Sequence, residues 1–218
     1  MRSFMPFSNI GERRIFQQGV KHVSRVDPKI CELVRKHGLI ELRIGGAPFE
    51  SLVRAIISQQ LNGQVAWSIF KKVKASLGSK HVDAQLLHRL SISKLRKAGV
   101  SPQKIRYLKD LSLRVVKGQL DLDGLKSRPD DEVIKILDEV KGIGPWTAHM
   151  FLLFTLGRTD VLPVGDLGIR TSIQQVYTLR HLPDGDKIKK IARNWHPYCS
   201  IASLYLWHAK DISARRIT

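Results

Sequence analysis

The segment Lys141-Gly142-Ile143-Gly144-Pro145 most constrains how this chain can fold. A helical apolar pattern runs into it and another runs out of it. Glycine and proline both interrupt helices, so a break between two helices is required here. Loops of this kind usually carry Ser, Asn or Asp, yet this one is almost bare of polar side chains. Two glycines allow a tight turn and a close approach of backbone to another molecule. Pro145 suits the first turn of the following helix, where its missing N–H costs nothing. The N–H groups of Gly142, Gly144 and the first turn would then point outward at a helix N-terminus, which attracts anions. Ile143 would plug inward. A tight turn without a ligand has the same local signature, so the surrounding chain must decide between them.

Composition favours the ligand. The chain holds 37 Lys+Arg against 19 Asp+Glu, a formal net charge of +18 over 218 residues. Such an excess repels itself and implies a polyanionic partner, with nucleic acid the leading candidate. At 43% hydrophobic the chain can bury one core or two small lobes. No apolar run reaches the ~18 residues of a membrane span. The start, MRSFMPFSNIGERR, lacks the apolar stretch of a signal peptide. Two cysteines, Cys31 and Cys199, exclude a disulfide framework and a four-cysteine cluster, and they suggest a reducing compartment. The eight histidines show no HExxH or comparable spacing, so no metal site is expected.

The pattern reads all-α, with strand-like alternation scarce. A helix opens at Pro48 and buries Phe49, Leu52, Val53, Ile56 and Ile57. Asn62-Gly63 punctuates, and QVAWSIFKKVKASL continues as a helix. Gly99 and Pro102 then split two amphipathic helices, with Lys94, Arg96, Lys97, Lys104, Arg106 and Lys109 around the turn. That run is either a solvated face or a phosphate contact. Ser127 should cap the next helix, with Pro129 in its first turn and Val133, Ile136, Leu137 and Val140 as its buried stripe. TAHMFLLFTL is apolar on nearly every side and should be central, ending at Gly157. Helices are expected from about Asp166 to Tyr177, and from Asp186 to about Arg215 with a break near Pro197.

A second feature is VLPVGDLGIR. Asp166 lies 22 positions beyond Gly144, after Pro163 and Gly165, where a helix should begin. Alone it reads as an ordinary N-cap. After a glycine hairpin in a basic chain it gains a second reading, as a reacting carboxylate.

From about Pro48 to Trp207 the chain resembles the helix-hairpin-helix (HhH-GPD) DNA glycosylase superfamily, in its 3-methyladenine (alkylpurine) branch. PFESLVRAIISQQL, LRKAGVSPQKIRYL, VKGIGPWTA, LPVGDLGIR and NWHPYCSIASLYLW carry the resemblance. It implies two helical lobes with an active-site cleft between them. Residues 1–47 plus 164–218 would form one lobe and 48–163 the other, with the helix-hairpin-helix at about 129–156. It implies a hydrolase that flips an alkylated purine out of double-stranded DNA and cuts its N-glycosidic bond. Asp166 matches the catalytic aspartate, and the helix dipole favours negative charge there. Lys141, Gly142, Gly144, Thr147 and Lys104 would contact DNA, and Gln60 and Leu61 would wedge into the gap left by the flipped base. Leu61 could equally be core.

Trp146, Met150, Trp207 and Asn62 match base-pocket positions. For Trp146 and Trp207, core packing remains an equal reading. Strand-nicking branches carry a nucleophilic lysine where Trp146 stands, so the resemblance implies a monofunctional enzyme without a lyase step. No cofactor is implied beyond a monovalent cation at the hairpin. The chain departs from the branch at Asn62 and Gln64, where relatives more often carry Ser or His and then Lys. It departs again at Met150, usually aromatic, and at Cys199, where arginine is usual. A second reading is therefore a glycosylase-like protein that binds damaged or abasic DNA without excising bases. A monomer is expected, in the nucleus of a eukaryote or otherwise in the cytoplasm.

Overall fold

The computed structural model describes residues 10–40 and 44–215, with side chains for 13–40 and 44–210. Residues 1–9 of the segment read for a signal peptide lie outside the described residues. Among those described there are twelve α-helices, one 3-10 turn and no strand. No helix among them is long and apolar enough to cross a membrane.

The chain divides into two compact units, Met1–Ile44 with Gly157–Thr218, and Gly45–Leu156. The first begins with α1 (Ile10–Val26) and α2 (Pro28–His37). Asp27 stops α1 and caps α2, accepting from the N–H groups of Lys29 and Ile30 at 2.9 and 3.2 Å. The carboxylate also accepts from the buried Trp195 indole N–H at 2.8 Å. One aspartate therefore satisfies orphan donors of a helix and orients a core side chain.

The second unit holds α3 (Pro48–Ser58), α4 (Gly63–Leu77), α5 (Ala84–Arg89), α6 (Ile92–Lys97) and α7 (Pro102–Val116). A 3-10 turn at Gly124–Ser127, α8 (Asp130–Asp138) and α9 (Pro145–Phe154) complete it. Phe49, Leu52, Val53, Ile56 and Ile57 of α3 are buried as their spacing requires. Each fully buried side chain of this size stabilises by about 1.5–3 kcal/mol. Helix α9 packs on α8 and α3 and buries Thr147, Ala148, Phe151, Leu152 and Leu153. The expected capping role of Ser127 fails. Ser127 closes the 3-10 turn, its hydroxyl donating to Gly124 O at 2.9 Å, and α8 starts at Asp130 without a side-chain cap. Three acidic residues, Asp130, Asp131 and Glu132, complement the dipole there instead. Ile136 is only half-buried.

The chain re-enters the first unit for α10 (Leu167–Val176), α11 (Gly185–Ala192) and α12 (Cys199–Arg215). Helix α12 packs on α10, α2 and α1. The break expected near Pro197 is present, with turns at 193–197 separating α11 from α12. The division between the units falls at Leu156 rather than 163, because residues 158–161 are bound to the start of α12. Ser200 Oγ donates to Arg158 O at 2.7 Å and accepts from Val161 N at 2.9 Å, while Ser200 N donates to Thr159 O at 3.0 Å.

Candidate functional site

In the Gly45–Leu156 unit, the hairpin between α8 and α9 has the form its glycines suggest. Gly142 has φ +83, a conformation that L side chains rarely adopt. A Cβ on it would lie 2.1 Å from Tyr107 Cδ2, so Tyr107 of α7 packs against bare backbone. Gly144 caps α9 in extended conformation, and a Cβ there would meet nothing within 4 Å. One glycine is thus closed in by its own protein and the other faces open space.

The neighbouring donors are committed. Ile143 N bonds Val140 O at 3.0 Å, and Lys141 N bonds Asp110 Oδ2 at 3.0 Å. Asp110 is held in turn by Arg114, 3.2 Å from Nε. The N–H groups of Gly142 and Gly144 donate to no carbonyl among the described residues. Two such donors at a helix N-terminus, beside the exposed Lys141, can receive an anion.

The loop after α3 joins the same place. Gln59 Nε2 donates to Gly142 O at 2.6 Å. Gln60 sits in the left-handed region at φ 55, rare for a residue with a Cβ. A groove of about 530 Å³ is lined by Gln59, Gln60, Lys104, Tyr107 and residues 140–144. Leu61 is 39% exposed and so is no core residue. Asn62 caps α4, accepting from Gln64 N and Val65 N at 2.9 and 3.1 Å. Its side chain therefore serves its own helix, and neither Leu61 nor Asn62 lines the groove.

Lys104 corrects the sequence reading. It lines the groove, but its ammonium donates to Ile57 O and Gln59 O at 2.8 and 2.7 Å. The last carbonyls of α3 lack intrahelical partners and sit at the negative end of the dipole, so they draw a cation. Lys109 does the same for Leu87, His88 and Leu90 after α5. Burial lowers the pKa of both lysines. Two charges of that basic run are thus turned to backbone. On α9, Trp146 is 50% exposed and Met150 half-buried. Their i, i+4 spacing places them on one face. Core packing within this unit does not account for Trp146.

The other unit holds Asp166 at the start of α10. The residue is largely buried, at 9% exposure. Oδ1 accepts from Ile169 N at 2.7 Å and from the Trp207 indole N–H at 2.8 Å. The first bond is the N-cap; the second is tertiary, reaching 41 residues along the chain to α12. A Cβ on Gly168 would lie 2.8 Å from Asp166 Oδ1 and 3.1 Å from Trp207 Cδ1. Gly168 therefore leaves the space in which the two side chains meet. A carboxylate so held can face a developing cation without reorganising.

Sequence reasoning missed Gly168, Tyr107 and Gln59. All three lie inside quoted motifs, but only packing reveals what they touch. Trp207 was placed in a base pocket; its clearest bond is to the aspartate.

The model of a family described as HhH-GPD superfamily base excision DNA repair protein matches residues 53–197. DNA-3-methyladenine glycosylase 1 of Schizosaccharomyces pombe is 31% identical over 168 residues, covering 76% of this chain and 74% of that protein. The crystal structure of a DNA-3-methyladenine glycosidase from Bacillus halodurans is 36% identical, with TM-score 0.80 over 90% of this chain and 91% of that one. The S. pombe 3-methyladenine DNA glycosylase Mag1, solved in complex with abasic DNA, is 29% identical with TM-score 0.80, over 89% and 97%.

Proposed function

The chain belongs to the HhH-GPD superfamily of base excision DNA repair proteins, and on that footing we propose that it is a monofunctional DNA glycosylase acting on alkylated purines. Its substrate is a 3-methyladenine or 7-methylguanine nucleotide flipped out of double-stranded DNA. The observation that carries the reading is Asp166, a largely buried residue whose carboxylate is held on one oxygen by Ile169 N and Trp207 Nε1.

Base loss breaks the C1′–N bond, and the electron pair leaves with the base. Alkylation makes the purine cationic, so it departs neutral without a strong general acid. The sugar acquires oxocarbenium character, which the Asp166 carboxylate stabilises at C1′ while it orients the attacking water. Water supplies the new C1′–O bond and releases a proton, leaving an abasic site. Trp146 occupies the place of a lyase lysine, so no Schiff base forms. Its exposed indole, with Met150, offers a surface for a cationic base to stack on.

Gly142 and Gly144 of the hairpin, with Lys141, hold a DNA phosphate; Thr147, whose side chain is buried, adds only its first-turn backbone N–H. Gln60, in its left-handed turn, is the wedge candidate, with the exposed Leu61 beside it. Lys104 supports that loop from α7. An alkali cation suits the carbonyls of the hairpin. Val140 O and Gly142 O each accept one hydrogen bond and keep a second lone pair, and hard cations prefer oxygen. Its charge would add to the pull on phosphate. The enzyme works as a monomer wherever the genome lies, in the nucleus of a eukaryote or the cytoplasm of a bacterium.

Incubating the purified protein with methylated DNA and measuring released bases by chromatography tests the assignment. Binding to an abasic duplex is measured beside it, and should weaken with salt at a log–log slope of about −0.9 per phosphate contacted. Retained abasic binding with no base released would overturn the catalytic reading and leave a damage-binding protein.

A further inference from the structure

Cys199, His196 and Asp160 stand together in the Met1–Ile44 and Gly157–Thr218 unit, outside the machinery described above. Cys199 Sγ lies 3.6 Å from His196 Nδ1, and His196 Nδ1 lies 2.8 Å from Asp160 Oδ2. One ligand-type atom from each residue falls within 4.8 Å of the other two. The thiol is wholly buried, while the His196 side chain is 55% exposed.

Two chemistries use such a set. A thiol nucleophile activated by a histidine needs its carboxylate on the opposite ring nitrogen, so that one nitrogen takes the proton and the other is oriented. Here thiol and carboxylate address the same nitrogen, Nδ1. That is poor geometry for a relay and suits convergence on a single cation. Tetrahedral zinc, with Zn–S of about 2.3 Å and Zn–N or Zn–O of about 2.0 Å, spaces its ligands about 3.3–3.6 Å apart. The sulfur–nitrogen distance already matches. The nitrogen–oxygen pair is a hydrogen bond and would open by about half an ångström as metal replaces the shared proton.

The surroundings fix these ligands. Asp160 Oδ1 accepts from Cys199 N at 3.2 Å, which orients the carboxylate. The Ser200 bonds to Arg158, Thr159 and Val161 clamp the segment that carries Asp160. Outer bonds of this kind hold metal ligands in known sites.

We propose that Asp160, His196 and Cys199 form a three-ligand site for a borderline-soft divalent cation, zinc by preference, with a fourth position open to water on the exposed His196 side. Thiolate and imidazole select zinc or cobalt over magnesium and calcium. The bound ion would tie the segment leading to Asp166 to the start of α12. Neither histidine nor cysteine counting reveals the site, because Asp160 is 36 residues from His196. Its one local trace is His196-x-x-Cys199, with cysteine where the resemblance expects arginine.

The full chain, stripped of metal by chelator and dialysed, is titrated with Co²⁺ as a spectroscopic probe. One equivalent should bind with a thiolate-to-cobalt charge-transfer band, and Zn²⁺ should displace it. Zn²⁺ alone should raise the Tm. His196→Ala and Cys199→Ser should remove the band, and Cys31→Ser should keep it. Affinity should fall by more than the about 10–100-fold attached to outer partners. His196→Ala changes an exposed side chain, so it tests the site even if Cys199→Ser fails to fold. No stoichiometric band in the wild type, or a band that survives His196→Ala, would overturn the proposal.

Discussion

The hairpin of one unit and the carboxylate of the other solve opposite problems. The hairpin presents backbone: its donors are the N–H groups of Gly142 and Gly144, set by φ angles and by Tyr107 packing where a Cβ would be. The carboxylate is a side chain, and Asp166 is held by another side chain, Trp207, from a distant helix. In each place a glycine makes room, but for different occupants. Gly142 and Gly168 admit the protein's own Tyr107 and Asp166–Trp207 pair, whereas Gly144 faces open space. Binding by backbone tolerates any side chain that keeps the turn. Catalysis by a positioned carboxylate tolerates little.

The sharpest break between the two regions is Asp166→Asn. Base release from methylated DNA should fall by about 10²–10³-fold, the range for removing one preorganised charge-stabilising group. Abasic-duplex affinity should hold. Equal release by both forms would remove Asp166 from catalysis.

Gly168→Ala is a subtler version. Its Cβ would lie 2.8 Å from Asp166 Oδ1, so the carboxylate or Trp207 must shift. A displacement near 1 Å can cost about 10²-fold in rate. Single-turnover release should drop toward that value with DNA affinity unchanged. An unaltered rate would show that the Asp166–Trp207 contact is dispensable.

The hairpin should respond the other way. Gly142→Ala meets Tyr107 and a positive φ, at about 1–3 kcal/mol of strain. It should lower the Tm and weaken DNA binding together. Gly144→Arg fills open space, so it should weaken binding with the Tm preserved. If both variants behave alike in denaturation and in binding, the two glycines do not have separate jobs.

The smallest effect concerns His149, half-buried on α9. Burial lowers its pKa from 6.5, with Asp130 opposing. The unfolded chain takes up a proton near pH 6.5 that the folded chain resists, so stability should fall as pH drops through that value. His149→Gln should flatten this dependence in thermal melts between pH 7.5 and 5.5. An identical slope in the variant would assign the titration elsewhere.

Legibility followed locality. Helix α3 was readable because its apolar spacing and Pro48 lie within eleven residues. The hairpin was readable for the same reason: every atom of the motif belongs to neighbouring residues. Lys104 was misread because charge count says nothing about direction, and the open carbonyls of α3 lie 47 residues away. Asp166 looked like any N-cap, and it is one; the reading of it as a reacting carboxylate came from the resemblance. Trp207 was found as an aromatic position, but its bond to Asp166 could not be.

Sequence by itself determined an all-α chain, a glycine turn that must leave backbone donors at a helix start, and a charge that demands a polyanion. These follow from φ preferences, helical period and net charge, which are properties of short segments or of simple sums. Tertiary structure decided which lysines face solvent, which glycines are filled by their own protein, and what holds Asp166. It also brought Asp160, His196 and Cys199 to one point. Those outcomes depend on side chains from different helices competing for the same space and the same unpaired backbone groups, and no segment carries that information alone.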